Sequence, residues 1–186
     1  MSTIAENIAS VRVRMAEAAR AAGRSPQEIL LCGASKMNDA AACREAISAG
    51  IDCLGENRVQ EMVQKRSEHA YVGAPLHFIG VLQKNKVRQV VGQVDLIHSV
   101  DSMGLLDEID KRAAMNGLTQ NILLEVNIGG EDSKSGFRPE EVESAIKAVL
   151  ARPERHVRIQ GLMAIPPIAE KKGEICRISW KCATYC

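Results

Sequence analysis

Aromatic side chains are scarce: one Trp, two Tyr and two Phe make up 3% of 186 residues. Stacking platforms for single-stranded nucleic acid are therefore few. Charge of one sign is also lacking, since 24 Lys and Arg face 23 Asp and Glu for a formal net charge of +1. No overall basic field exists to hold nucleic acid or an anionic membrane. No apolar run reaches the length of a membrane span, and mean hydropathy is -0.10. The opening Met1-Ser2-Thr3-Ile4-Ala5-Glu6-Asn7 lacks the basic start and apolar core of a signal peptide, so the cytoplasm is the expected compartment. Thiols stay reduced there, and the six cysteines need not pair. Neither Cys32, Cys43 and Cys53 nor Cys176, Cys182 and Cys186 show the C-x-x-C spacing of a zinc site, and Cys32 and Cys43 read as small core hydrophobes.

What is present is ordinary globular composition, 46% hydrophobic and 25% charged. The length suits one domain on a prior of about 150 residues each. Ile4, Ile8, Val11, Met15 and Ala19 recur at helical spacing behind Ser2 or Thr3 as cap, with Gly23 closing the helix. Short, continuous apolar runs follow, as in strands buried on both faces. They lie in Glu28–Lys36, Ile51–Leu54, Leu76–Gly80, Leu96–Val100, Asn121–Ile128 and Val157–Ile165. Helical segments alternate with them: Ala40–Ala49 capped by Asn38 or Asp39, Val59–His69, a short Asn85–Val91, Met103–Met115 capped by Ser102, and Pro139 to about Leu150. Strict β/α alternation predicts a parallel sheet. The turn Ser35-Lys36-Met37-Asn38 contains neither G-x-G-x-x-G nor a P-loop, which weakens a nucleotide-binding doubly wound sheet. The other closure is a (β/α)8 barrel of about 200–250 residues, of which this chain would hold six strands.

In such a barrel, chemistry sits at the C-terminal ends of the strands. Lys36 is the one cation directly on a predicted strand end. A lysine held among apolar neighbours loses its charge readily and can attack a carbonyl to form a Schiff base. By position alone, however, a solvated lysine is the commoner case. His77 and His98 fall inside strands and read as core histidines. Lys84, Lys86 and Arg88 read as a solvated helix face or a local anion site. Residues 129–137 form a polar, glycine-rich loop, either an ordinary turn or a substrate-contacting one.

Several segments match one family in order and spacing. They are Ala34-Ser35-Lys36, Gly55-Glu56-Asn57-Arg58-Val59-Gln60-Glu61, His77-Phe78-Ile79-Gly80 and Leu82-Gln83-Lys84-Asn85-Lys86. His98-Ser99-Val100-Asp101-Ser102, Val126-Asn127-Ile128 with Ser133-Lys134-Ser135-Gly136, and Gly161-Leu162-Met163-Ala164-Ile165-Pro166 complete the set. The chain resembles the pyridoxal phosphate homeostasis proteins, which share their barrel with the N-terminal domain of alanine racemase. The resemblance implies a protein that binds pyridoxal 5'-phosphate (PLP) without established turnover and influences the supply of vitamin B6. It maps the Schiff-base lysine onto Lys36. It implies that Asn57, His77, Ser99 and Met163 line the ring pocket, and that Lys134, near the pocket mouth, holds a second cofactor or relays it.

Two departures stand out. The family's Ser-Lys-Thr-Lys-Pro run reads Ser35-Lys36-Met37-Asn38-Asp39 here, so any role of the second lysine is lost. The last two strands expected after Pro166-Pro167, which carry the cofactor phosphate in the family, are also lacking. Residues 1–175 thus read as a partial barrel and 176–186 as an aberrant tail. Under one permissible coding, a single-nucleotide shift near Arg177 yields Tyr-Phe-Met-Glu-Met-Arg-Asn-Leu-Leu, an amphipathic segment of the kind the family has there. A frameshift is the expectation and a natural divergent tail the alternative; the gene sequence downstream of Cys186 decides. A monomer is expected for the complete protein; lost phosphate donors predict weak PLP binding for the chain as it stands, and exposed strand edges and apolar faces predict a tendency to aggregate. Two other functions compete: a PLP-dependent racemase or aldolase, for which no second domain supplies a catalytic tyrosine, and a nonfunctional fragment.

Overall fold

The computed structural model describes residues 3–131 and 134–166. The expectations for 176–186 and for the reading frame near Arg177 lie outside the described residues. Two compact units divide the chain, Met1–His77 and Phe78–Cys186.

The first unit opens with α1 (Ile4–Ala21), followed by a 3-10 turn (Pro26–Glu28), β1 (Cys32–Ala34), α2 (Ala40–Ser48), β2 (Cys53–Glu56) and α3 (Val59–Ser67). β3 (Leu76–Phe78) begins in this unit and ends in the next. Local chemistry explains the helix starts. Thr3 Oγ1 accepts from Glu6 N (3.2 Å) while Glu6 Oε2 accepts from Thr3 N (2.8 Å), a reciprocal capping box. Asp39 Oδ1 accepts from Ala42 N at 2.8 Å and caps α2. β1 and β2 are parallel, with Cys32 opposite Cys53, Gly33 opposite Leu54 and Ala34 opposite Gly55. β3 follows β2 in sheet order, and Leu54 N donates to Pro75 O at 3.0 Å.

β1 is shorter than the run Glu28–Lys36 predicts. Pro26–Glu28 coils into the 3-10 turn, and the Leu31 amide is taken by Asp52 Oδ2 at 2.6 Å, with Arg12 paired to the same carboxylate at 2.9 Å. A side chain thus replaces a ladder partner there, and Leu30 is left exposed.

The second unit contains a 3-10 helix (Lys84–Gln89), β4 (Leu96–Val100), α4 (Met103–Met115), β5 (Gln120–Glu125), α5 (Pro139–Leu150) and β6 (Val157–Met163). The short helical segment expected at Asn85–Val91 is a 3-10 helix of six residues, Lys84–Gln89. β4, β5 and β6 are parallel and adjacent, with Ile97 opposite Ile122 and Gln120 opposite Val157. Ile97, Leu105, Leu106, Ile109, Ile122 and Leu124 are fully buried and form its core. On α5 the buried residues Val142, Ala145 and Val149 share one face at helical spacing. No helix among the described residues is long and apolar enough to cross a membrane.

Candidate functional site

Lys36 stands two residues beyond β1, at the C-terminal end of the strand, and its side chain is exposed. The backbone around it is held from several directions. Ser35 N donates to Gly55 O (2.9 Å) and Asn38 N to Ser35 O (3.1 Å). Asn38 Nδ2 donates to Lys36 O at 3.1 Å, and Met37 N to Glu61 Oε2 at 3.0 Å. Met37 has φ of 63°, a left-handed conformation uncommon for a side chain of its kind. Such a residue costs about 1–3 kcal/mol and persists only where its surroundings over-determine it. Those four hydrogen bonds supply that constraint.

Beneath this turn lies a buried charge network. Glu56, the last residue of β2, is wholly buried. Its Oε1 accepts from Lys65 Nζ (2.6 Å), Ser35 Oγ (2.6 Å) and Tyr71 OH (2.9 Å). Lys65 Nζ also donates to Ser35 O at 2.7 Å, the carbonyl that precedes Lys36, and lies 3.6 Å from Glu61 Oε2. Burial and the Glu56 carboxylate push the Tyr71 hydroxyl well above its ordinary pKa, so it serves as a hydrogen-bond donor. The Met37 amide, helped by Lys65 and Arg58, holds the half-buried Glu61 below the usual carboxylate range. Burying an ion pair is costly, and good geometry with further donors is what offsets the cost. Here that geometry joins β2 and α3 to the turn that carries Lys36.

The sequence reading singled out Lys36 but not this support. A signal was available: Val59, Met62 and Lys65 are the buried residues of α3, three apart, so Lys65 occupies an apolar-phase position. A lysine there requires a partner.

Of the other expected site residues, Asn57 and His77 belong with Lys36 to the first unit. Asn57 directly follows β2 and is half-buried; its Oδ1 is buried with no hydrogen-bond partner in the protein. His77 is the middle residue of β3, half-buried, with Cys53 as a hydrogen-bond neighbour. Ser99, Lys134 and Met163 belong to the second unit. Ser99 is buried in β4 and donates to Gly80 O. Met163 ends β6, and its carbonyl accepts from Val126 N at 2.8 Å. Lys134 lines a cavity of about 240 Å³ with Val81, Glu125, Asn127 and Ile165, and pairs with Glu131 at 2.7 Å. Burial, with the Asp101 charge adding to it, raises the Glu125 pKa. Asn127 Nδ2 donates to Glu131 O (2.8 Å) and Lys134 O (3.1 Å). Gly136 has φ of 121°, and an added Cβ there would lie 2.8 Å from Asn127 N, so only glycine fits.

The alanine racemase N-terminal domain family matches residues 2–183. An alanine racemase from Clostridium difficile superposes with a TM-score of 0.67 at 16% identity, covering 84% of this chain and 40% of its own, which bears on the fold alone. PipY of Synechococcus elongatus, solved with PLP bound, superposes with a TM-score of 0.80 at 32% identity over 98% of this chain and 80% of its own. The fold is accordingly of the (β/α)8 type of alanine racemase, with six strands in the order β1 to β6 in one sheet among the described residues. At the level of sequence, a pyridoxal phosphate homeostasis protein of Pseudomonas aeruginosa is 43% identical over 175 residues, 94% of this chain and 75% of its own length. The chain belongs to the pyridoxal phosphate homeostasis protein family.

Proposed function

We propose that this chain binds PLP as a Schiff base on Lys36 and acts as a cytoplasmic, monomeric carrier in PLP homeostasis, without catalytic turnover. The observation that carries the reading is the contrast between two lysines. Lys65 is buried and committed to Glu56 and to the Ser35 carbonyl, whereas Lys36 projects from the turn those contacts secure. The residues fit the cofactor in a second respect, because the orphaned Asn57 Oδ1 beside this turn can accept a hydrogen bond from a bound group. When bound, PLP supplies an aldehyde that condenses with a primary amine. His77 is proposed as a further lining residue of the ring pocket. The parts of Ser99, Met163 and Lys134 rest on the resemblance alone.

The state of Tyr71 supports the absence of turnover. A racemase moves an α-proton with a base of suitable pKa. The Tyr71 hydroxyl is buried, donates to Glu56 and has a raised pKa, so it is unsuited to take up a proton from substrate. Borohydride reduction of the protein loaded with PLP, followed by peptide mapping, tests the binding reading. The label is expected on Lys36 and absent from Lys36→Ala; a label on Lys134 or Lys84 contradicts it. Assays with alanine and threonine test the non-catalytic part, and a Lys36-dependent racemase rate well above that of free PLP contradicts it.

A further inference from the structure

Cys32, Cys53 and His77 come from three successive strands of the first unit. Cys32 stands opposite Cys53 in the β1–β2 ladder, and His77 is on β3, next to β2 in the sheet. Two sulfurs and one imidazole nitrogen lie within 4.8 Å of one another. Cys53 is buried and the other two are half-buried. The groups already interact, thiol to thiol between Cys32 and Cys53 and thiol to imidazole between Cys53 and His77.

We propose that Cys32, Cys53 and His77 form a binding site for a single Zn²⁺ ion. In a tetrahedral zinc site with bonds of about 2.0–2.3 Å, neighbouring donors stand roughly 3.5–3.8 Å apart. The cluster therefore needs a contraction of about 1 Å at its widest, within reach of side-chain rotation. Two thiolates and a neutral imidazole offset the charge of a divalent ion, so the complex adds no net charge to a partly buried place. As each S–Zn bond forms, the thiol proton leaves to solvent, about two per ion, while the imidazole donates a lone pair. Sulfur and imidazole donors select zinc-like ions over Ca²⁺ and Mg²⁺, which prefer oxygen. Three protein donors leave a fourth position for water or a small ligand. The site shares His77 with the proposed ring pocket but does not require the PLP reading to hold, and metal binding is read on protein free of PLP.

The test uses the full chain, reduced and free of PLP, with Cys176, Cys182 and Cys186 changed to Ser so that only the three described thiols remain. Titration with Co²⁺ is expected to give a thiolate-to-cobalt charge-transfer band that saturates at one ion per chain and is lost when Zn²⁺ is added. Losing a residue that merely orients a metal ligand costs about 10–100-fold in metal affinity, so loss of a ligand in Cys32→Ser should weaken binding by at least about 100-fold. Cys43→Ser should leave it unchanged. A band that persists in Cys32→Ser/Cys53→Ser, or that fails to form in a parent protein with a native circular-dichroism spectrum, overturns the proposal. A readout that needs no folded variant is alkylation: Zn²⁺ should slow modification of Cys32 and Cys53 in the parent chain, and unchanged rates, or recovery of the two as a disulfide that takes up no metal after reduction, overturn it. Because Cys32 has no assigned part in holding PLP, Cys32→Ser should retain the borohydride label on Lys36, which separates failure of this site from failure of the PLP reading.

Discussion

In the first unit an ion pair sits out of water: Glu56 is wholly buried and Lys65 nearly so, with Ser35 and Tyr71 completing the set around one carboxylate oxygen. Among the described residues of the second unit the buried polar side chains are the neutral Ser99 and Gln120. Gln120 meets its obligations with backbone alone, accepting from Gly92 N at 2.9 Å and donating to Val94 O at 3.1 Å. Around them the second unit packs hydrocarbon, with Ile97, Leu105, Leu106, Ile109, Ile122 and Leu124 fully buried. One unit thus keeps a charge pair in its interior and the other keeps none among these residues. A buried pair is a poor source of net stability, since well-packed apolar side chains do as well or better. Its retention next to Lys36 is explained by position: it fixes the Ser35 carbonyl and the strained turn that carries the proposed cofactor lysine.

The sharpest way to break this contrast is to strand the charge. Lys65→Met leaves Glu56 buried without its cation and should cost about 3–5 kcal/mol of stability in urea denaturation. In Glu56→Gln/Lys65→Met the buried group is neutral and still accepts from Ser35 and Tyr71, so most of that loss should be regained. If the single variant is as stable as the parent, the pair is not buried as described. The second unit should respond to volume instead. Leu106→Ala is expected to cost about 2–5 kcal/mol through lost burial and a residual cavity, by the same amount at pH 6 and pH 8.

Smaller effects refine the comparison. Tyr71→Phe removes one hydrogen bond to a charged acceptor and should cost about 1.5–3 kcal/mol. Its pH dependence follows from the raised hydroxyl pKa. The unfolded tyrosine ionises near pH 10, the folded one higher, so its contribution is fully present below about pH 10 and is lost as pH rises beyond that. Tyr71→Phe should therefore flatten the alkaline decline in stability, and an unaltered decline contradicts the assigned cause. Least of all, Asp39→Ala should cost about 0.5–2 kcal/mol by removing the cap of α2.

Much of this architecture was legible from local pattern. Thr3, Asp39 and Ser102 cap the helices where the periodicity places their starts, and Pro139 opens α5. Those features depend on neighbours in sequence. The end of β1 does not: the Leu31 amide goes to Asp52, a contact made across the fold that no local pattern encodes. The same holds for the site. Lys36 could be read from its motif, but Glu56 and Lys65 meet only because β2 and α3 pack together, and Cys32, Cys53 and His77 only because three strands align. C-x-x-C spacing reports cysteines brought together by a turn, not by a parallel ladder.

The central claim is that the Glu56–Lys65 pair holds Lys36 ready for the cofactor rather than merely stabilising the fold. A PLP titration of the parent and of Glu56→Gln/Lys65→Met, both confirmed as folded and followed by Schiff-base absorbance, tests it most directly. The double variant loses the charge-assisted hydrogen bond to the Ser35 carbonyl, a contact worth about 1.5–3 kcal/mol, so affinity should fall roughly tenfold or more while stability is largely kept. Equal affinity in the two proteins would contradict the claim and show that the turn carrying Lys36 keeps its competence without the buried pair.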